Sequence, residues 1–342
     1  PHGGKLCNLL VDEEQAEALK TASGDFLSIS LNQRQLCDLE LLLCGALSPL
    51  TGFMVQEAYE SVINKLCLSD GTLWSIPLTF DVPAALAEKI EPGQQLALRD
   101  DEGFMLAILT VADKWQPDKQ REANEIFGTT STEHPGVRYL LEQVHDTYLG
   151  GEVTGIQMPI HNDFETLRDT PEELRHLFTR LGWQNVVGFH TCKPMHRLHR
   201  EITLQAAKEA QANILLHPSV GMTKPGDLHY YARVHCYQAI RHHYPHSMAV
   251  LSLLPSAVRM AGPREVLLNA IIRQNYGCSH YIVGPQHAEP PAVRDDGPCF
   301  YPRYAAQKMM EAHQHELEIR MVPVREMSYL PDSGTFKPDD RQ

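Results

Sequence analysis

From residue 184 to residue 324 the sequence alternates short apolar runs with longer amphipathic ones, and this beat limits the fold more than any other feature. "NVVGFH" (185–190), "NILLHPSV" (213–220), "SMAVLSLLP" (247–255), "HYIVG" (280–284) and "EIRMVPV" (318–324) read as strands. The stretches 195–211, 227–243, 263–276 and 303–316 read as helices. Strands alternating with helices in this way predict an α/β layer built on a parallel sheet. In such sheets ligands bind beyond the carboxyl ends of the strands. The residues to examine are therefore those just after Phe189, Leu216, Leu254 and Val283.

The first 165 residues have a different texture, mixed and rich in strand signals. "GQQLALRDDEGFMLAILTVADKW" (93–115) carries two β-rich runs around Asp100-Asp101-Glu102-Gly103, which predicts a hairpin. "TLWSIPLTFDVP" (72–83) is a second strand candidate. A helix is expected from the leucines at 36, 39, 41, 42 and 43, ending at Gly45 and Pro49. Thr170-Pro171-Glu172-Glu173 is a helix start, with proline in the first turn and acids at the positive end of the dipole. With 342 residues the chain has room for two domains. The expected division is 1–165, a β-rich domain, 166–330, the α/β domain, and a tail over 331–342.

The net charge of −13 argues against a nucleic-acid partner, which demands clustered Lys and Arg. It leaves room for a small anionic substrate in a local basic pocket. No stretch approaches the length of a membrane helix, and no segment resembles a signal peptide. The eight cysteines are scattered without a C-x-x-C pair, as expected of reduced thiols in a cytoplasmic protein. Of the 18 histidines, 11 lie between residues 190 and 287, within the α/β half.

That histidine enrichment meets the strand ends. "GFHTCKPMHRLHRE" (188–201) places His190, Cys192, Lys193, His196 and His199 after the first strand. With a helix beginning near Pro194, His196 and His199 share a face of its first turn. Free backbone N–H groups there favour an anion, and two imidazoles can add donors to phosphate oxygens. The second strand leads into "HPSVGMTKPGD", with His217 and Lys224. After the third come Arg259 and a helix opening at Gly262-Pro263; after the fourth comes His287 in "GPQHAEPP". Basic groups at four strand ends in an acidic protein suit a polyanion such as a nucleoside triphosphate. A competing reading takes His190, Cys192, His196, His199 and His287 as ligands for a transition metal, zinc or iron. No P-loop, G-x-G-x-x-G or H-E-x-x-H motif is present.

Taken together, "PHGGKL", "LSPLTGFM" (47–54), "GTTSTEHPGV" (128–137), "KPMHRLHRE" (193–201), "LLHPSVGMTKPGD" (215–227), the run 253–284 and "MVPVREMSYLPD" (321–332) resemble the ATP sulfurylase (sulfate adenylyltransferase) family. The resemblance implies a PUA-like β-rich N-terminal domain followed by a Rossmann-like nucleotidyltransferase domain. It implies a homo-oligomer, and ATP with Mg²⁺ reacting with sulfate to give adenosine 5′-phosphosulfate and pyrophosphate. Carried onto this chain, His196 and His199 match the histidines that hold the triphosphate, with Lys193 beside them as a catalytic cation. The nucleotide would meet His190, Met195, His196, His199, Gly284, His287 and Ala288, and the anion would meet His190, Cys192, Lys193 and Ala288.

Two stretches depart from the family pattern. Where the family has Gln-Thr-Arg-Asn this chain has His190-Thr191-Cys192-Lys193, and where it has Gly-Arg-Asp-His-Ala this chain has Gly284-Pro285-Gln286-His287-Ala288. Loss of two anion contacts at ~1.5–3 kcal/mol each predicts sulfate binding weaker by on the order of a hundredfold or more. Lys193, and His190 as a cation at modest pH, are the groups expected to compensate. The alternatives are a repurposed enzyme acting on another anion or through a His/Cys metal site, and an inactive homologue that binds nucleotide.

Overall fold

In the computed structural model the described residues are 1–222, 224, 226–290, 299–330 and 335–338. The chain forms two compact units, Pro1–Glu165 with Pro255–Ala257, and Thr166–Leu254 with Val258–Gln342.

The first unit is built on a six-stranded sheet of β1 (Leu27–Ser30), β2 (Gly52–Phe53), β3 (Phe80–Val82), β4 (Gln95–Arg99), β5 (Met105–Trp115) and β6 (Thr147–Gly155). The order is β1-β4-β5-β6-β2, with β3 also on β6; β1 runs parallel to β4 and the other pairs are antiparallel. The expected hairpin is β4–β5: Gly103 takes the left-handed backbone its turn requires, at φ +89°, and Phe104 N–H donates to Asp100 Oδ1 at 2.8 Å. The helix Gln33–Leu43 starts where Asn32 caps it, its side chain accepting from Gln35 N–H while Gln35 answers the Asn32 N–H. The segment 72–83 is strand only at Phe80–Val82, because Pro77 has no N–H to give a ladder. Between β5 and β6 the backbones come so close that a Cβ on Gly151 would lie 2.0 Å from the Thr110 carbonyl oxygen.

In the second unit β7 (Val186–Phe189), β8 (Asn213–Leu216), β9 (Ala249–Leu251), β10 (His280–Val283) and β11 (Arg320–Pro323) form one parallel sheet. The helices Arg197–Ala210, Tyr230–Arg241, Gly262–Asn275 and Ala305–His313 connect them, close to the expected spans. Strand order is β11-β10-β7-β8-β9. The chain thus winds from β7 outward through β8 to β9, then returns to the other side of β7 with β10. Connections leave β7 and β10 in opposite directions, so a crevice opens between their carboxyl ends. The helix Gly262–Asn275 is almost wholly buried, with Val266, Leu267, Ala270, Ile271 and Ile272 buried beside the polar Glu265, Asn269, Arg273, Gln274 and Asn275. A hairpin of β12 (Met327–Leu330) and β13 (Thr335–Pro338) follows.

Candidate active site

The crevice between β7 and β10 is where the chain concentrates its histidines. Gly188, next to the end of β7, has no side chain, which lets a charged residue cross behind it. A Cβ there would meet Arg273 Cγ at 3.0 Å and Cys278 Sγ at 3.2 Å. Arg273 comes from the buried helix and is itself fully buried. It donates from Nη1 to Asn269 Oδ1 at 3.0 Å, and from Nη2 to the His217 carbonyl at 3.0 Å and to His190 Nδ1 at 2.7 Å. Its guanidinium sits 5.7 Å from the centre of the Tyr281 ring.

This corrects one expectation. His190 is not a cation at modest pH: burial, then the Arg273 charge, then His287, His217 and Lys224 push it well below the usual imidazole range. His287, 6.1 Å away between ring centres, is pushed down to about 3 by burial and by Arg273 and Lys224; its Nε2 is 2.9 Å from Tyr281 Oη. His217 is fully buried beneath them, edge-on to Tyr276 at 4.5 Å, and neither ring nitrogen has a hydrogen-bond partner among the described residues. Lys224 reaches toward the same side, its ammonium donating to the Glu289 carbonyl. Thr223 and Pro225 of the "TKPGD" loop lie outside the described residues.

The helix after β7 begins at Arg197, later than Pro194, with His196 as its extended N-cap residue. His196 is exposed. Its N–H donates to His199 Nδ1 at 3.3 Å, and the two rings lie 4.1 Å apart. His199 leans on Phe189, ring centres 5.8 Å apart. Burial first, then His196 and Lys193, push His199 down to about 4. The pair therefore places the His196 ring and a neutral His199 imidazole beside the unsatisfied N–H groups of a helix start.

Lys193 is exposed, and its ammonium has no partner among the described residues. Its backbone is clasped: Thr191 Oγ1 accepts from Lys193 N–H at 3.0 Å, and Tyr237 Oη donates to its carbonyl at 2.8 Å. Cys192 is buried, and burial pushes its thiol up, away from the thiolate a metal would need. Among the described residues no group of three or more His, Cys, Asp or Glu is arranged to hold a metal. Among the described residues the five proposed ligands thus do not form such a group.

At the end of β10 a Cβ on Gly284 would meet nothing within 4 Å, so space is open there. Ala288 takes a left-handed backbone, φ 56°, and its carbonyl accepts from Gly262 N–H at 3.2 Å, joining this loop to the start of the buried helix. Met195 faces elsewhere. It is buried and lines a hollow of about 690 Å³ with Arg197, Arg200, Cys236, Ala239, Ile240 and His243.

Two residues central to this arrangement were not singled out in the sequence. Arg273 was the charged residue inside the apolar run "LLNAIIRQNYG", which is the signal that could have exposed it. Arg233, fully buried, donates from Nη1 to the Cys192 and Ser219 carbonyls and from Nε to the Leu228 carbonyl, each at 2.9 Å. It ties the loops after β7 and β8 together.

The depressed imidazoles make stability pH-dependent with a fixed sign. A histidine whose folded pKa lies below its unfolded value of 6.5 supports the fold fully above 6.5 and loses that support as pH falls toward the folded value. For His199 the window runs from 6.5 down to about 4. Within it wild type should lose stability relative to His199→Gln by up to about 1.4 kcal/mol per pH unit. Urea unfolding of both proteins at pH 7 and pH 5 checks this. A difference that does not change with pH would mean that His199 titrates as an ordinary imidazole.

The ATP-sulfurylase family profile matches residues 165–342, and that of a PUA-like domain matches residues 1–158. The sulfate adenylyltransferase of Kluyveromyces lactis is 48% identical over 343 residues, covering 99% of this chain and 68% of that protein. That of Saccharomyces cerevisiae is 47% identical over 344 residues, covering 100% and 67%. A solved structure, the hexameric APS kinase from Thiobacillus denitrificans, superimposes with a TM-score of 0.79 at 35% identity, over 99% of this chain and 59% of that one. The chain spans about two thirds or less of the length of these relatives. On the strength of both the profile match and these identities across nearly all of this chain, the chain belongs to the ATP-sulfurylase family.

Proposed function

We propose that the protein is an adenylyltransferase of the sulfate adenylyltransferase type. It would transfer the adenylyl group of ATP to sulfate or a related oxyanion and release pyrophosphate. The observation that carries this reading is the convergence of His190, Arg273 and His287 on the crevice between the ends of β7 and β10, with His196 and His199 at the start of the helix that leaves β7. A triphosphate needs donors along its length, and a helix start with two imidazoles supplies them. Attack of the acceptor oxygen on the α-phosphorus builds negative charge on the phosphate oxygens. Donors already aimed at those oxygens need no reorganisation to stabilise it. Magnesium is read as arriving with the nucleotide, as part of the substrate.

The names of the relatives support sulfate as acceptor. The buried, neutral thiol of Cys192 points to weak sulfate binding, because no guanidinium stands at that place. A hexameric structural neighbour supports a homo-oligomer, and eight free thiols support a reducing, cytoplasmic setting.

The test is pyrophosphate release from ATP and Mg²⁺, with and without sulfate, selenate or molybdate. Release stimulated by sulfate is expected. In protein shown to bind ATP, no release with any of the three oxyanions would overturn the reading. Stimulation by selenate or molybdate alone would keep the chemistry and change the acceptor.

A further inference from the structure

We propose that Arg273 is a positioning residue that fixes His190 in its Nε2–H tautomer, so that this site grips its acceptor anion through an uncharged N–H donor. The proposal rests on the adenylyl-transfer reading and adds how the anion is held.

The geometry leaves little choice of tautomer. A guanidinium only donates, so the 2.7 Å contact from Arg273 Nη2 requires a lone pair on His190 Nδ1. A neutral imidazole with an unprotonated Nδ1 carries its hydrogen on Nε2. The groups that face His190 are Arg273 from the buried helix, His287 after β10, His217 after β8, and Lys224, and each of them opposes a second proton. His190 is half-buried, and its Nε2 is not hydrogen-bonded to any described residue. One N–H is therefore left over for a ligand.

Behind that N–H stands a cation that makes no ion pair with a carboxylate among the described residues, Glu265 acting on it only from farther away. The recorded acceptors of Arg273 are an amide oxygen, a peptide carbonyl and an imidazole nitrogen, all neutral, and its Nε has no partner. Among the described residues no carboxylate pairs with it. A guanidinium buried without a carboxylate is costly unless an anion comes near it when the site fills. Its hydrogen bond into Nδ1 also polarises the ring, which strengthens the outward donor. The anion thus feels the Arg273 charge through one imidazole, without touching it.

Glutamine can repeat this pattern, with Oε1 accepting from Arg273 and its amide N–H pointing outward. Phenylalanine has similar bulk and neither function. In the full chain with ATP and Mg²⁺, His190→Phe should raise the sulfate KM roughly 10- to 100-fold, the loss of one hydrogen bond to a charged group. The KM for ATP should stay within about threefold of wild type. His190→Gln should recover most of the loss. Equal damage from Gln and Phe would overturn the proposal, because a merely structural role does not distinguish donor from hydrocarbon in that way.

A second readout does not depend on turnover or on a variant that folds. Nitrogen NMR of ¹⁵N-histidine-labelled wild type should show His190 with an unprotonated Nδ1 and a protonated Nε2, and added sodium sulfate should shift the Nε2–H signal. A protonated Nδ1 would overturn the tautomer assignment even if the enzyme turns over. The assigned tautomer with no response of Nε2–H to sulfate would overturn the role in anion binding. Absence of turnover in wild type, with the tautomer and the sulfate response as expected, would count against the adenylyl-transfer reading and leave the donor assignment standing.

Discussion

Replacing Arg233 by methionine should lower the unfolding free energy by about 3 kcal/mol and loosen two strand-end loops together. Its side chain is fully buried and satisfies the carbonyls of Cys192, Ser219 and Leu228. Methionine keeps much of the stem's bulk and offers no donor. Each buried carbonyl left unpaired costs roughly 1–3 kcal/mol. Against that stands the cost of burying a guanidinium, which methionine removes. The balance falls on the side of destabilisation because two buried acceptors, the Cys192 and Ser219 carbonyls, are lost at once. Urea unfolding measures the change, and amide exchange locates it. Protection should fall in 190–193 and in 217–222 and hold in the first unit. A variant as stable as wild type would mean that water replaces the guanidinium and that the tie does not hold these loops.

Much of the α/β unit was legible because its inner strands β7, β8 and β10 are buried on both faces, so each announces itself as an apolar run. "NILLHPSV" and "HYIVG" could be placed to within a few residues for that reason. Strand order was not legible. Nothing local in β10 says that it lies beside β7 and not beside β9, and the crevice exists because of that choice. The strand-rich half was harder, as "TLWSIPLTFDVP" has the composition of a strand but a proline that denies it a ladder. The site residues after β7 were visible as a cluster of unusual side chains, but their protonation was not. His190 looked like a spare cation because the sequence does not show Arg273, 83 positions away, donating into its ring. Charge state is a property of surroundings, and the surroundings here come from a helix whose apolar run hid its one buried cation.

The largest effect on turnover should come from His196→Ala. If the protein transfers adenylyl groups, losing this donor should cut pyrophosphate release by about 10²–10³-fold, the loss expected for one preorganised donor at developing charge. His196 is exposed, so its removal touches little of the core, and stability should change by no more than about 1 kcal/mol. That separation is what makes the position informative. His199 is half-buried against Phe189 and accepts from the His196 N–H, so His199→Ala mixes lost chemistry with lost packing. The double variant should be little worse than His196→Ala alone, because donors that act on one phosphate chain fail as a unit. Steady-state release at saturating ATP and sulfate, beside urea unfolding of the same preparations, separates the two contributions. Full turnover in His196→Ala would move the triphosphate away from this helix start. The buried cluster around Arg273 would then be the place to look for the nucleotide.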